Sequence, residues 1–393
     1  MWIHIFTRDL RIEDNLAINE IPSKDVAGVF IFTPTQISKN KLFSSASFQF
    51  MCESLMDLDR KIPLHPFYGE HKEVLGKILK GDIEGVSMIK DYTPYALKRE
   101  GVIKGICDKA GIKFQSIDDI YLHPPGSILN KSKKTFQKFT PFYELARTVD
   151  VPKPTTSKKK WYGGSFEGEI TVKHMLDKLK YNEFVIPGGR TEAMKIFRGW
   201  SGVEYAKDHD VPSIQTSRLS AHNHYGTVSI REVYHHYRER HEFIRQLFWR
   251  DFYGHIVENF EGLYGEDPYE FKGKGHWSRD VAKFNKWTRG ETGVDIVDAG
   301  MKQLLKEGYI HNRVRLIVSS YLVKELGIYW RWGERWFAKN LVDYDFTQNF
   351  CNWIWVSSLL PFASAPFRTF APARQEKEFD PERIYINKYL NNE

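Results

Sequence analysis

The segment Asp343–Trp355, DYDFTQNFCNWIW, carries residue types that a packing stripe would not. On a helix, Asp345, Asn349 and Trp353 recur every four residues and share one face. An acid, an amide and an indole in register suit a planar, polar aromatic ligand, whereas a core face would offer Leu and Ile. Trp355 lies two residues past Trp353 and points to the nearly opposite side, so the two indoles would serve different cavities. A buried amphipathic helix whose tryptophans only pack is the competing reading of the same residues.

Three further constellations could do chemistry. Gln246, Trp249, Arg250 and Tyr253 fall at i, i+3, i+4 and i+7, opposite Phe243, Leu247, Phe248 and Ile256. A polar aromatic stripe backed by an apolar one reads as the wall of a cavity, or as an interfacial face. Thr216-Ser217-Arg218-Leu219-Ser220 sets three hydroxyls and a cation before a helical pattern, which suits a phosphate or plain N-capping equally. In His311–Leu316, Asn312, Arg315 and Leu316 share a face. Arg313 points away, toward solvent or phosphate, and Arg315 is a natural ion-pair partner for Asp343. His222, His224, His235, His236 and His241 cluster without Cys or H-E-x-x-H, so no metal site is expected. G-x-G-x-x-G, the P-loop motif and a nucleophile elbow are absent from the sequence.

The elements that must position these residues divide the chain. Apolar runs at Trp2–Phe6, Val26–Phe32, Leu64–Phe67, Val86–Ile89 and Ile112–Ile117 alternate with helical patterns such as Ser44–Lys61, Lys72–Lys80 and Ala96–Ala110. That alternation predicts an α/β unit, a doubly wound parallel sheet over residues 1–144. Such sheets bind ligands at the carboxyl ends of their strands, so Thr7–Arg11 is placed at a ligand or at a domain interface. VDVPKPTTSKKKWYGG, around 149–164, reads as a surface connector inside a linker spanning 145–186, with Lys158–Lys160 solvated or touching phosphate. From 187 to 393 the pattern is all-helical, with helices expected at Ile230–Glu239, Glu242–Asn259, Val281–Lys286, Asp295–Glu307, Arg313–Leu326 and Glu334–Asp345.

Composition narrows the class. The net charge of +7 fits an acidic polymer such as DNA, and eleven Trp in a chain that is 15% aromatic hint at stacking or redox work. Cys52, Cys107 and Cys351 form no disulfide framework, and neither a signal peptide nor a spanning segment is apparent. A soluble, intracellular protein in a reducing compartment is expected.

Taken in order, these segments resemble the photolyase/cryptochrome family of flavoproteins, closest to the class I cyclobutane pyrimidine dimer DNA photolyases. The resemblance runs from F-T-R-D-L-R-I-E-D-N-L-A at Phe6 through F-T-P-F at Phe139, T-S-R-L-S at Thr216 and W-R-D-F-Y at Trp249. It continues with T-G-V-D-I-V-D-A at Thr292, H-N-R-V-R, W-R-W-G-E-R and D-Y-D-F-T-Q-N-F-C-N-W-I-W, and closes at F-D-P-E-R-I-Y. It implies FAD in the helical part, with Tyr205, Thr216, Ser217, Leu219, Ser220 and Arg250 at its phosphates and ribityl chain. Asp343 and Asp345 would contact the flavin and its sugar region, Arg315 would pair with Asp343, and Asn349 would face flavin N5. Trp353, Trp330 and Trp277 match the proximal, middle and distal tryptophans of light-driven flavin reduction. Gln246, Trp249, Asn312, Leu316 and Trp355 would form the substrate side, with Trp249 and Trp355 sandwiching a dimer flipped out of ultraviolet-damaged DNA and Arg313 meeting phosphate. Photolyases are themselves among the enzymes known to flip bases.

The chain departs from that pattern in places. Gln246 stands where bacterial dimer photolyases carry Glu, and Leu316 where they carry Met. Gln also occurs in (6-4) photolyases, but those place two histidines where this chain has Asn312 and Leu316. The expectation is therefore a monomeric enzyme that repairs cyclobutane dimers, with (6-4) repair or a cryptochrome-like receptor role as alternatives. The chain ends about forty residues after Trp353, which disfavours the receptor. Asp91–Tyr95 falls where a folate antenna would sit, but Lys98-Arg99 replaces the expected Asn-Glu. A folate, a deazaflavin, a flavin or no second chromophore all stay open.

Overall fold

Both faces of a parallel sheet are covered by its crossover helices, so its inner strands are expected to be apolar. In the computed structural model, which describes residues 1–259, 277–359 and 368–391, the inner strands are buried, while the edge strand Lys113–Ile117 is only partly so. Strands β1 (Trp2–Ile5), β2 (Asp25–Phe32), β3 (Leu64–Tyr68), β4 (Gly85–Ile89) and β5 (Lys113–Ile117) pair in the order β3-β2-β1-β4-β5, all parallel. Ile3, Ile5, Val29 and Met88 pack on one side with Ile103 and Cys107 of helix Pro94–Ala110. Phe6, Phe30 and Phe32 pack on the other with Phe50 and Leu55 of helix Ser45–Asp59. That second layer also takes in Ala221, Tyr225, Tyr309 and Val342, so the sheet is seated directly on the helical part.

The stretch read as a surface connector contributes more than a link. Lys160–Trp161 forms β6, parallel to Asp25 and Val26 at the start of β2. β3 joins β2 only from Gly28 onward, so this short edge is free to be paired. Trp161 stacks near Phe6, with ring centroids 6.3 Å apart, and Lys159 donates to the Ser23 carbonyl at 3.0 Å.

The helical part follows its periodic patterns, with two informative differences at element ends. The pattern over Arg313–Leu326 is an α-helix, Asn312–Ser320, continued by a π-turn, Tyr321–Glu325. The helix expected to run from Glu334 to Asp345 spans Trp330–Asn340, leaving Asp343 and Asp345 on the turn that follows. The reason lies at Asp345, whose backbone is extended and whose side chain accepts from the Gln348 N–H. It is the N-cap of helix Phe346–Val356, a role short acids fill better than a helix interior.

Thr7–Arg11 lies at the interface between sheet and helices. Arg8 pairs with Asp345 and, at 3.3 Å, with Asp91, while Arg11 pairs with Asp119 and donates to the Gly226 carbonyl at 3.1 Å. Gly226 is required there, because its φ is +61° and a Cβ would meet the Arg8 carbonyl oxygen at 2.1 Å. Among the described residues no helix is long and apolar enough to cross a membrane.

Candidate cofactor and substrate site

Capping by Asp345 sets the phase of helix Phe346–Val356, so that Asn349 and Trp353 follow one and two turns on. All three line one cavity, together with Asn312, Arg315 and Leu316 of helix Asn312–Ser320. A second cavity, of about 290 Å³, is lined by Tyr205, Thr216, Ser217, Leu219, Ser220, Gln246 and Arg250. Asn312, Arg315, Asp343, Asp345 and Gln348 border both, so the two cavities adjoin. Helices expected from separate stretches of sequence therefore converge on a pair of neighbouring polar cavities.

Its charges are placed by specific partners. Arg315 Nη2 donates to both oxygens of Asp343, at 2.8 and 3.1 Å, and Nε donates to the Ile310 carbonyl at 2.8 Å. Burial opposes charge on Asp345, but Arg8 and then His224 outweigh it and hold its carboxyl well below the usual carboxylate range. Asn349 Nδ2 donates to Glu334 Oε1 at 3.1 Å, and the Tyr344 hydroxyl reaches the same oxygen at 3.2 Å. This fixes the Asn349 amide, its Nδ2 turned to Glu334 and its carbonyl oxygen left for a ligand. Burial raises the Glu334 carboxyl against the pull of Arg331.

The cavity also holds orphaned polar atoms. His311 Nδ1 accepts from the Arg313 N–H, so its Nε2 carries the proton, and Nε2 is buried without a partner. Asn223 Oδ1 is buried and unpartnered as well, and both residues border the larger cavity. A ligand offering both donors and acceptors along its length would satisfy them. Hydroxyls and Arg218 at one end, with an amide, an ion pair and an indole at the other, fit the phosphate and ring ends of FAD.

Trp249, Trp355, Trp330, Trp277 and Arg313 lie outside these linings. Trp249 stacks face to face on Phe139, with centroids 3.6 Å apart. Trp355 turns away from Trp353, toward Phe370 and Arg368. Trp353 packs on Phe337 and Trp287, at 5.2 and 6.4 Å between ring centroids. Trp330 is buried edge-on to Phe350 at 5.5 Å, and Tyr329 lies 6.3 Å from both Trp330 and Trp277. Arg250 borders the cavity, but its guanidinium donates to the Ile120 and Asn223 carbonyls. Arg313, expected to meet solvent or phosphate, is instead held by Asp210 and stacked over Phe379 at 4.2 Å. The turn that brings Asp210 beside helix Asn312–Ser320 has no local signature, so the pair could not be read from the sequence.

Glu334 and Gln348 are not singled out from sequence, His224 enters only as one of a histidine cluster, and Arg8 only within the Thr7–Arg11 stretch placed at a ligand or domain interface. Glu334 lies inside W-R-W-G-E-R, fifteen residues before Asn349, and only a packed pair of helices brings them together. A third cavity, of about 600 Å³, opens at the carboxyl ends of β1, β2 and β4. It is bordered by Asp91, Thr93, Pro94 and Tyr95 and closed by Tyr344 and Phe346 of the helical part.

Comparison with known proteins places this geometry. Residues 2–158 match the family model for DNA photolyase, and residues 243–392 match that for the FAD binding domain of DNA photolyase. The deoxyribodipyrimidine photo-lyase of Alkalihalophilus pseudofirmus is 31% identical over 413 residues, covering 98% of this chain and 86% of the relative. That of Vibrio cholerae is 30% identical, covering 98% and 89%. The archaeal photolyase of Sulfolobus tokodaii, solved with two FAD molecules, superposes with a TM-score of 0.90 at 33% identity, over 99% of this chain and 90% of that one. A class III photolyase from Agrobacterium tumefaciens gives 0.90 at 28% identity, over 99% and 86%. A Synechocystis cryptochrome, 21% identical, gives 0.87 over 100% and 88% and shares the fold.

Proposed function

The chain belongs to the DNA photolyase family, and from that premise we propose that it repairs cyclobutane pyrimidine dimers in ultraviolet-damaged DNA. FAD supplies the light absorption and the electron for this chemistry when bound. The observation that carries the reading is the pair of adjoining cavities. One is hydroxyl-rich, at Thr216, Ser217 and Ser220, and in the other Asn349 and Trp353 meet the Arg315–Asp343 pair, which borders both.

Each residue then has a task. Thr216, Ser217, Ser220 and Arg218 hold the phosphate end, and Tyr205 and Leu219 close over it. Asp343, paired with Arg315, and Asp345, kept charged by Arg8, orient the ring and sugar. Asn349 presents a neutral amide to the ring edge, held in one orientation by Glu334. Trp353, Trp330 and Trp277 carry oxidising equivalents outward by short hops. On the substrate side Asn312 and Gln246 read the edges of the dimer, while Trp249 and Trp355 bury its apolar faces. The geometry gives Arg313 a positioning role, fixing helix Asn312–Ser320 through Asp210.

Asn312 and Leu316 line the cavity where a (6-4) enzyme would place two histidines, which favours the cyclobutane lesion. The cavity at the carboxyl ends of the strands is assigned to a second, light-collecting chromophore. It is apolar, large enough for a ring system, and separated from the first by Arg8, Asp345 and His224.

The test is a repair assay with purified, reduced protein and an oligothymidine carrying cyclobutane dimers, under blue light and in the dark. Thymine absorbance recovered only in the light is the expected result. No recovery from a protein with reducible FAD, followed by recovery on a (6-4) substrate, would transfer the assignment to that lesion. Failure on both would leave the receptor reading.

A further inference from the structure

Behind the hydroxyl-rich cavity lies a second layer of polar side chains. Helix Asp295–Glu307 turns Gln303 and Glu307, four residues apart, to one side. Helix Ile384–Leu390 presents Tyr385 and Tyr389 to them at the same spacing. The Tyr385 hydroxyl donates to Gln303 Oε1 at 2.7 Å, and the same oxygen accepts from the His311 N–H at 3.3 Å. The Tyr389 hydroxyl donates to Glu307 Oε1 at 2.6 Å, while Glu307 Oε2 pairs with Arg218 Nη2 at 3.2 Å. Gln303 Nε2 ties the two rungs together by donating to Glu307 Oε2 at 3.3 Å. His311 and Arg218 both border the cavity. Two parallel rungs therefore run from one short helix to the cavity wall.

Arg218 needs such support. Its φ is +52°, a left-handed conformation that a residue other than Gly adopts at a cost. It is the middle residue of loop 216–220, so the directions of the loop hydroxyls depend on its staying there. Its side chain is held twice, by the pair with Glu307 and by the Tyr309 ring, 4.8 Å from the guanidinium. Glu307 is itself buried, and a buried carboxylate is stable only while its hydrogen-bond partners stay in place. One of those partners, Tyr389, comes from helix Ile384–Leu390, which at seven residues is too short to persist undocked. Arg383, just ahead of that helix, pairs with Asp295 at the start of helix Asp295–Glu307, and Ile386 is fully buried.

We propose that Tyr389, acting through Glu307 and Arg218, is a positioning residue for the cofactor: docking of helix Ile384–Leu390 sets the loop 216–220 that receives the phosphates of FAD. The inference rests on reading the hydroxyl-rich cavity as the phosphate end of FAD, and it names what holds that end in shape. The placement of charge agrees with it. Glu307 lies outside the cavity lining, and Arg218, which borders the cavity, answers its charge before a phosphate meets it. Coupling of this kind is reciprocal, so the factor by which the docked helix favours FAD is the factor by which FAD favours docking.

FAD and riboflavin are titrated by flavin fluorescence into full-length protein freed of its cofactor. FAD is expected to bind at least about tenfold more tightly than riboflavin, which has the ring and ribityl chain but no phosphate. Equal affinities would overturn the phosphate reading itself. Tyr389→Phe, which removes one hydroxyl, should weaken FAD at least about fivefold. Ile386→Val, which loosens the same helix through packing alone, should weaken it less than about twofold. Added to Arg218→Ala, Tyr389→Phe should change FAD affinity by less than about twofold, because its route to the loop is then gone. A full loss that persists beside Arg218→Ala, equal losses in Tyr389→Phe and Ile386→Val, or no loss in Tyr389→Phe would each overturn the positioning role while the preference for FAD over riboflavin stands. Hydrogen exchange in the unsubstituted protein reads the reverse direction. FAD should slow exchange in helix Ile384–Leu390 at least about fivefold, and more than in helix Pro94–Ala110 of the sheet part. Equal slowing in the two helices, or none, would overturn the coupling.

Discussion

At the scale of the residue, Glu334 shows how a cavity is tuned from behind. Its Oε1 accepts from both Asn349 and Tyr344, so removing it takes away the Tyr344 hydroxyl's acceptor and leaves the Asn349 amide only the Glu334 backbone carbonyl, at 3.3 Å. Glu334→Ala is expected to cost about 2–3 kcal/mol in urea unfolding, and Glu334→Gln, which keeps a carbonyl acceptor, under about 1 kcal/mol. Equal losses in the two variants would mean that packing, and not the acceptor, is what Glu334 supplies. Gln246 carries the second prediction. It borders the cavity with its Nε2 on the Glu242 carbonyl at 3.2 Å, where a carboxyl would bring a proton or a charge toward the lesion. Gln246→Glu is expected to raise the repair yield per absorbed photon, and an unchanged yield would remove the argument for slow repair.

At the scale of the element, the site depends on how closely helix Trp330–Asn340 approaches helix Phe346–Val356. Gly333 sets that distance. A Cβ there would meet the Trp353 ring at 2.2 Å and a Leu322 methyl at 2.5 Å, so one of the three elements must give way. Gly333→Ala is expected to destabilise the fold by about 1–3 kcal/mol through overpacking and to displace Trp353. Slower photoreduction of bound FAD, measured by flash absorption, should accompany the loss of stability. Normal photoreduction in a destabilised variant would separate packing from electron transfer and weaken the assignment of Trp353. The same closeness explains why Trp353 is buried whereas Trp355, two residues on, is only partly so.

At the scale of the whole molecule, acid sensitivity follows from buried neutral histidines in both halves. Burial pushes His71, His255 and His311 down to about 4 and His222 to about 3. An unfolded chain binds protons at these sites below about pH 6.5 and the folded one does not, so stability falls as pH is lowered from about 6.5 toward 4. Asp345 acts in the same direction further down. Its carboxyl lies well below the usual range, and its contribution is lost as pH falls past the ordinary carboxylate value. Urea midpoints measured at pH 7.5, 6 and 5 should drop progressively, and a flat profile would contradict the burial of these rings. Because Arg8 joins Asp91 on the sheet side to Asp345 on the helical side, the two halves should unfold together.

What the sequence determined by itself is whatever repeats locally. The inner strands showed as apolar runs, because a sheet covered on both faces leaves no polar alternation, whereas Lys113–Ile117 at the edge keeps Lys113, Gln115 and Ser116. Most helices showed as periodic stripes, and the shared face of Asn349 and Trp353 followed from helical spacing alone. The ordered motifs carried the family, and with it the expected cofactor. What only the tertiary structure decided is pairing between distant segments. Arg8 with Asp345, Glu334 with Asn349, Arg313 with Asp210 and Phe139 with Trp249 leave no periodic trace in the chain. The end of helix Trp330–Asn340 was decided in the same way. Asp345 serves both as cap and as partner of Arg8, and a partner 337 residues away in sequence is visible only once the chain has closed on itself.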